Sequence, residues 1–159
     1  MTKNRFRFRA WDKKNKRMLY NIENAYDGGG VEDEKGNEVA DCYADCFSYF
    51  FPYDDDKNEE FIVEQCTGLK DKNGRLIYEG DIVKITGDVM TIGLKYMDCL
   101  FKVIWSDNGF WFEMLDENDC LGFCEYWEYE VVGNIHQDYE KKKYCILNDT
   151  ELEGYNLDI

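Results

Sequence analysis

Four of the seven cysteines form two pairs with equal spacing, the arrangement in this chain that comes nearest to a metal site. Three residues separate Cys42 from Cys46, and three separate Cys120 from Cys124. Four thiolates that meet in space can hold a tetrahedral zinc ion. Structural zinc sites more often use a two-residue spacer, and cysteine also packs as a small apolar residue. We therefore favour four thiols without metal and keep zinc as the alternative.

Carboxylates near the centre of the chain offer a second possible site. Asp71, Glu79 and Asp81 could form a cluster for metal binding or acid–base chemistry. Aspartate and glycine at turns have a sufficient local explanation, because a short carboxylate accepts nearby backbone N–H groups. We favour turn and cap roles for these residues and expect no catalytic residue and no cofactor.

Nucleophilic catalysis would have to use the single histidine, His136. It lies at the end of a predicted strand beside Gln137, where a surface or cap position is the ordinary explanation. The sequence therefore predicts a protein that is not an enzyme.

The chain contains 159 residues, which fits one domain that buries a core without cross-links. An odd number of scattered cysteines suggests reduced thiols in a cytoplasm. No apolar run is long enough to cross a bilayer, and the basic start has no apolar segment after it. We expect one unexported cytoplasmic domain, with an N-terminal hairpin at 3–22, a β core at 61–135 and a polar tail at 137–159.

Short aromatic and β-branched runs between turn signals predict a mainly β fold. The segment 5–11 alternates with period two, which places Phe6, Phe8 and Ala10 on a buried face and three arginines on a solvated one. After a polar turn at 12–16, residues 17–22 can return as its antiparallel partner.

Turn chemistry predicts further hairpins. Asn73-Gly74 suits the positive φ angles of a tight turn, and Gly80 permits a sharp bend before the strand at 82–85. The turn at 106–109 joins the clearest pair of strands, and Gly133 predicts a bulge or an end in the last strand. A Gly-Asp pair before an apolar strand recurs in small SH3-like barrels. We expect an all-β or α+β fold, a small, partly open SH3-like barrel of antiparallel hairpins with at most one or two short helices.

Residues 38–51 allow two interpretations. Val39, Tyr43, Cys46 and Phe50 follow helical spacing, and Pro52 would stop a helix there. The alternative is an extended aromatic strand.

Charge is unevenly distributed along the chain. The net charge is −15, yet residues 1–17 carry eight basic side chains against Asp12 alone, and residues 103–140 contain neither Lys nor Arg. Because phosphate contacts supply much of the affinity for nucleic acids, the acidic body makes direct DNA or RNA binding unlikely. The aromatic hairpin at 100–115 could form a platform for bases, but we favour burial or a subunit contact.

Four motifs carry a family pattern: FRAWD at Phe8–Asp12, TGLKDKNG at Thr67–Gly74, YEGDIV at Tyr78–Val83 and VVGNIH at Val131–His136. With these motifs the chain resembles the YopX family of bacteriophage and prophage proteins, over about residues 3–22, 61–85 and 100–140. The resemblance implies a phage-encoded protein that acts in the bacterial cytoplasm and assembles with copies of itself. It implies no catalytic residue and no established biochemical role.

Two hypotheses of function follow. The first is a self-assembling interaction module that uses a basic face of one copy against an acidic surface of another, or that binds a host or phage protein. The second is an acidic mimic of nucleic acid that inhibits a host DNA-binding protein, with DNA binding through the basic N-terminal strand as a weaker alternative. The residues that we expect at such contacts are Arg5, Arg7, Arg9, Trp11, Glu125, Glu128 and Glu130.

Overall fold

The computed structural model describes residues 6–27, 30–39, 50, 60–87 and 92–137. The chain divides into two compact units, Met1–Glu79 and Gly80–Ile159, and the described part of each unit contains one five-stranded antiparallel sheet. Helix within these ranges is short, and none of it has the length and apolar character that crossing a membrane requires.

The sheet of the first unit has the strand order β3-β2-β1-β4-β5. Its strands are β1 Phe8–Asp12, β2 Arg17–Tyr20, β3 Glu32–Asp33, β4 Phe61–Lys70 and β5 Leu76–Tyr78, and a 3-10 helix spans Ile22–Asp27. The predicted N-terminal hairpin is present, because β1 pairs with β2 from Arg9 opposite Tyr20 to Asp12 opposite Arg17. The other edge of β1 pairs with β4.

Apolar side chains on one face of this sheet form the core of the first unit. The cluster contains Ala10, Leu19, Ile22, Ala25, Val31, Phe50 and Phe61. Phe8 is partly buried against this cluster. Phe6 precedes β1 and is 67% exposed, so the buried face begins at Phe8, two residues after the predicted start at Phe6. The alternation is right for Phe8 and Ala10 and wrong for Phe6.

The turn between β4 and β5 lies at the predicted place. The Asp71 carboxylate accepts the backbone N–H groups of Asn73 and Arg75, both at 2.9 Å, and Gly74 takes a φ of +81°. Asn73 has no positive φ, so this is a longer, carboxylate-capped loop rather than the two-residue Asn-Gly turn. The predicted cap role of Asp71 is confirmed.

The sheet of the second unit has the strand order β10-β6-β7-β8-β9. Its strands are β6 Asp81–Thr86, β7 Leu100–Ser106, β8 Gly109–Met114, β9 Cys120–Leu121 and β10 Glu128–Asn134. The register of β10 against β6 shifts between Val131 and Gly133, which confirms the predicted irregularity at Gly133.

The hairpin of β7 and β8 is the one that the sequence marks most clearly. Asp107 and Asn108 form its two-residue turn with φ angles of +48° and +67°, a pair of left-handed values that matches the twist of the flanking strands. Phe101, Val103 and Phe112 are buried on one face. Trp111, which pairs with Ile104, is exposed on the other face, whereas Trp105 shares the face of Val103 and is exposed beside the turn.

The prediction of a mainly β fold built from antiparallel hairpins with little helix is confirmed. Both sheets are open in the part of the chain that the structure describes, and neither closes into a barrel there. The single-domain organisation stays a prediction. The choice between helix and strand at 38–51 falls, apart from Glu38, Val39 and Phe50, outside the described residues.

Candidate functional site

A buried ion pair lies in the middle of the first sheet. The register places Arg9 of β1 opposite Glu64 of β4, and Arg9 Nε donates to Glu64 Oε2 at 2.7 Å. The two side chains are only 1% and 3% exposed. The prediction that Arg9 lies on a solvated face is wrong, because both faces of β1 are covered at this point and Glu64 neutralises the guanidinium.

Two neighbouring residues complete the surroundings of Arg9. Its Cζ atom lies 4.7 Å from the ring centroid of Tyr78, within cation–π range, and its Nη2 donates to the backbone oxygen of Glu79 at 3.1 Å. The Tyr20 ring meets Tyr78 edge-on at 6.0 Å. Arg9 is therefore held from several sides within the first unit, and it is not available to an external anion or an acidic surface.

Burial also changes the acid–base behaviour of this ionic cluster of Arg9, Glu64, Tyr78 and Glu79. Burial raises the pKa of Tyr78 well above its usual range, so its phenol stays neutral. Burial, reinforced by the negative charge of Glu64, raises the pKa of Glu79, although a backbone hydrogen bond and Arg9 oppose the change. The cluster is built to neutralise a buried guanidinium, and its parts satisfy one another.

The other predicted contact residues of the first unit are in different environments. Arg7 is exposed and Trp11 is half-buried, while Arg5 lies outside the described residues. The turn between β1 and β2 adds three exposed cations, Lys13, Lys14 and Lys16. Exposed positive charge among the described residues is thus present on this hairpin turn as well as at Arg7, and not at Arg9.

In the second unit, a stack of three aromatic rings leads from the core to the surface. The rings of Phe112 and Tyr129 stack at 4.8 Å, and the Phe123 ring stacks on Tyr129 at 5.6 Å. Phe112 and Tyr129 are buried, whereas Phe123 is 50% exposed. Phe123 therefore presents a rigidly backed ring to solvent.

The loop that carries Phe123 is fixed by the same tyrosine. The Cys124 N–H donates to Tyr129 Oη at 2.9 Å, and the Tyr129 hydroxyl donates to the Cys124 backbone oxygen at 3.2 Å. Burial raises the pKa of Tyr129 to about 12, so the hydroxyl keeps the proton that this second bond needs. The fixed loop also displays Tyr126, which is 75% exposed.

Exposed carboxylates lie within a few residues of these rings in the chain, and we call Phe123, Glu125, Tyr126 and Glu128 together the Phe123 surface. Glu125 and Glu128 are both exposed, as predicted for contact residues, while Glu130 is half-buried. Neither Glu125 nor Glu128 forms an ion pair with a described residue. The sequence indicated the carboxylates through the lack of Lys and Arg, but it gave no sign that Phe123 and Tyr126 would be exposed beside them.

The lysines of the second unit are already paired elsewhere. Lys84 contacts Asp98 at 3.0 Å, and Lys102 contacts Glu113 at 3.0 Å. Lys95 lies 2.8 Å from Asp119 and 3.4 Å from Glu117. These are the only Lys or Arg residues in the described part of the second unit, so its own cations leave the charge of the Phe123 surface uncompensated.

A family model described as YopX protein matches residues 7–141. The chain belongs to the YopX family. The resemblance in the sequence motifs is thereby confirmed.

Two solved structures are similar to this YopX-family chain. Protein EF1440 from Enterococcus faecalis is 28% identical, over 85% of this chain and 96% of that one, with a TM-score of 0.49. Protein yopX from Bacillus subtilis is 23% identical, over 86% of this chain and 97% of that one, with a TM-score of 0.47. The search of curated proteins found no match.

The possible zinc site of this YopX-family chain is only half described. Cys120 is exposed on β9 and Cys124 is half-buried, while Cys42 and Cys46 lie outside the described residues. Within the described ranges, no group of three or more His, Cys, Asp or Glu side chains could hold a metal ion. That includes Asp71, Glu79 and Asp81, and zinc at the four cysteines stays a prediction.

His136 and Cys99 are two further described side chains with nucleophilic or base chemistry. His136 is half-buried after β10, and its backbone N–H donates to the Asn134 side chain at 3.0 Å. Burial, together with the charges of Asp116 and Glu117, raises the pKa of the Cys99 thiol. A raised thiol pKa disfavours the thiolate that a cysteine nucleophile needs.

Proposed function

We propose that this YopX-family protein is a non-enzymatic interaction module, encoded by a phage, that assembles with copies of itself in the bacterial cytoplasm. One observation carries the proposal: exposed charges of opposite sign lie in the two units, and neither set is neutralised by described neighbours. Lys13, Lys14 and Lys16 supply the positive charge, and Glu125 and Glu128 supply the negative charge.

Electrostatic complementarity of this kind fits contact between copies, because every copy carries both signs. The buried ion pair restricts which cations take part: Arg9 belongs to the interior, so we assign the contact to the exposed lysines of the turn between β1 and β2. We assign no catalytic role to Cys99, whose raised pKa disfavours the thiolate, or to Arg9 and Glu64, which neutralise each other.

The test is the molar mass of the purified protein measured by light scattering across an ionic-strength series. We expect oligomers at low salt that dissociate as salt rises, because exposed ion pairs weaken when the Debye length falls from about 30 Å at 0.01 M to about 3 Å at 1 M. A monomer at every salt concentration would contradict self-assembly.

A second candidate, an acidic mimic of nucleic acid, is favoured by the absence of Lys and Arg from residues 103–140. Exposed carboxylates such as Glu125 and Glu128 could occupy a cationic groove in place of phosphates. The test is capture from host lysate followed by competition with duplex DNA. Recovery of a DNA-binding protein that DNA displaces would support mimicry, and its absence would remove this candidate.

Direct DNA binding through the N-terminal strand receives less support. Arg9, one of the three arginines proposed for it, is enclosed by Glu64 and Tyr78. A retardation assay at low salt would reveal any binding by the remaining cations.

A further inference from the structure

We infer that the Phe123 surface receives the Lys13–Lys16 turn of a second copy. This inference rests on the proposed self-assembly and names the two surfaces that would meet. It assigns Lys13 and Lys14 as the inserted cations, and Phe123, Glu125, Tyr126 and Glu128 as their receiving groups.

The inserted element is rigid. Asp12, which is buried, accepts the N–H groups of Lys14 and Asn15 at Oδ1, at 3.1 and 3.0 Å, and its Oδ2 accepts the Asn15 side chain at 2.7 Å. The Lys13 N–H donates to the Glu60 backbone oxygen at 3.0 Å. The backbone of the turn is therefore fixed while its lysine side chains extend into solvent.

The receiving surface is rigid as well. Tyr129 backs the Phe123 ring and holds Cys124 through two hydrogen bonds. Contact between two ordered surfaces loses little backbone freedom, which removes one of the main costs of association. What is ordered on binding is chiefly the lysine side chains.

The chemistry of the surface suits an ammonium group. The face of a phenylalanine or tyrosine ring attracts a cation, and adjacent carboxylates accept its N–H donors. Two exposed rings and two uncompensated carboxylates lie within the six residues 123–128. An acidic surface without the rings would attract cations through charge alone, so the two rings add cation–π contacts to that attraction.

A contact between two different surfaces of the same chain is heterologous, and it closes into a ring or continues as an open chain. The inference predicts assemblies of this type. It also predicts that reversing the charge of one surface can be rescued by reversing the charge of the other.

Charge reversal provides the test. We expect the variant K13E/K14E and the variant E125K/E128K each to weaken self-assembly at low salt by about tenfold or more in apparent Kd, equivalent to about 1.4 kcal/mol. An equimolar mixture of the two variants should recover assembly, because each acidic turn then meets a basic surface and each basic turn meets an acidic one. The matched control K35E/K70E reverses two exposed lysines elsewhere in the first unit and should leave the apparent Kd near the wild-type value.

Aromatic replacement tests the rings at constant net charge. Tyr126→Leu keeps an apolar side chain and removes the ring face, and at 75% exposure the replacement does not threaten folding. We expect a two- to fivefold weaker assembly, equivalent to about 0.4–1 kcal/mol, from the loss of a cation–π contact. Thermal unfolding of each variant confirms that the fold is retained.

The outcomes distinguish a failure of the proposed self-assembly from a failure of the Phe123 surface as its contact. A wild-type monomer at every salt concentration defeats the proposed function itself. A salt-dependent oligomer in which K13E/K14E and E125K/E128K behave like K35E/K70E, or in which the mixture does not recover, leaves self-assembly intact and overturns the Phe123 surface as its receiver.

Discussion

The two units of this protein place charged side chains in different environments. The first unit encloses Arg9 and Glu64 within its sheet, where Tyr78 and the backbone of Glu79 complete the surroundings. The second unit pairs its lysines elsewhere and leaves Glu125 and Glu128 exposed beside two aromatic rings. Charge inside the first unit serves stability, whereas charge on the second is accessible to a partner, so substitutions in the two places should affect different measurements.

The ion pair of the first unit should give the largest change in stability. Glu64→Gln leaves the guanidinium of Arg9 buried without its counter-charge, and we expect the free energy of unfolding to fall by about 3–5 kcal/mol. Urea denaturation monitored by fluorescence measures it. The double variant R9M/E64L removes both charges and should recover most of the loss. A loss below about 1 kcal/mol for E64Q would mean that the pair is not buried as a charged unit.

The turn cap at Asp71 should give the next largest change. Asp71→Ala removes the acceptor of two backbone N–H groups, those of Asn73 and Arg75, and we expect a loss of about 1–3 kcal/mol by the same measurement. Asp71→Asn keeps the side-chain oxygen and should lose less. Equal losses for the two variants would show that the carboxylate charge, and not acceptance of the N–H groups, stabilises the turn.

Glu79 should produce a smaller effect that depends on pH. Its pKa is raised in the folded protein, so the folded state holds the proton more tightly than the unfolded chain does. Stability that depends on the neutral carboxyl is present below the ordinary pKa of 4.5 and is lost as pH rises through the folded value. Relative to Glu79→Gln, the wild type should become less stable from acid towards neutral pH. Parallel unfolding curves at all pH values would contradict the raised pKa.

The Phe123 surface should give the smallest change in stability. We expect E125Q/E128Q to alter the free energy of unfolding by less than about 0.5 kcal/mol, because both side chains are exposed and neither forms an ion pair with a described residue. Thermal and urea unfolding measure this, with E64Q as the contrasting variant. A large loss would indicate that these carboxylates stabilise the fold and would weaken the contrast between the two units.

Local sequence signals were enough to predict much of the sheet structure. The turn at Asp107-Asn108 and the bend at Gly80 each depend on the φ preference of one or two residues. Such preferences act within a few positions of the chain. The hairpin of β7 and β8 and the mainly β fold could therefore be predicted from the sequence alone.

The burial of Arg9 could not be predicted from such local signals. Period-two alternation assigns residues to faces, but it does not say whether the second face is also covered. Arg9 tolerates burial because Glu64 lies opposite it, 55 residues later in the chain, and only the register of β1 against β4 brings them together. Whether Arg9 is buried therefore depends on the pairing of β1 with β4, which the local sequence pattern does not reveal.

The sequence predicted the carboxylates of the candidate site but not its exposed aromatic rings. The run without Lys or Arg pointed to Glu125 and Glu128, since the lack of cations is visible in the sequence. The exposure of Phe123 depends on its stacking with Tyr129 and on the two hydrogen bonds that hold Cys124. Composition cannot distinguish an aromatic ring that ends such a stack from one that lies within a core.

The molar mass of the protein against ionic strength tests the central claim most directly. Exposed and uncompensated charges of both signs on one chain predict oligomers at low salt that dissociate towards monomers as salt is raised. A single species of monomeric mass from low to high salt would contradict the account.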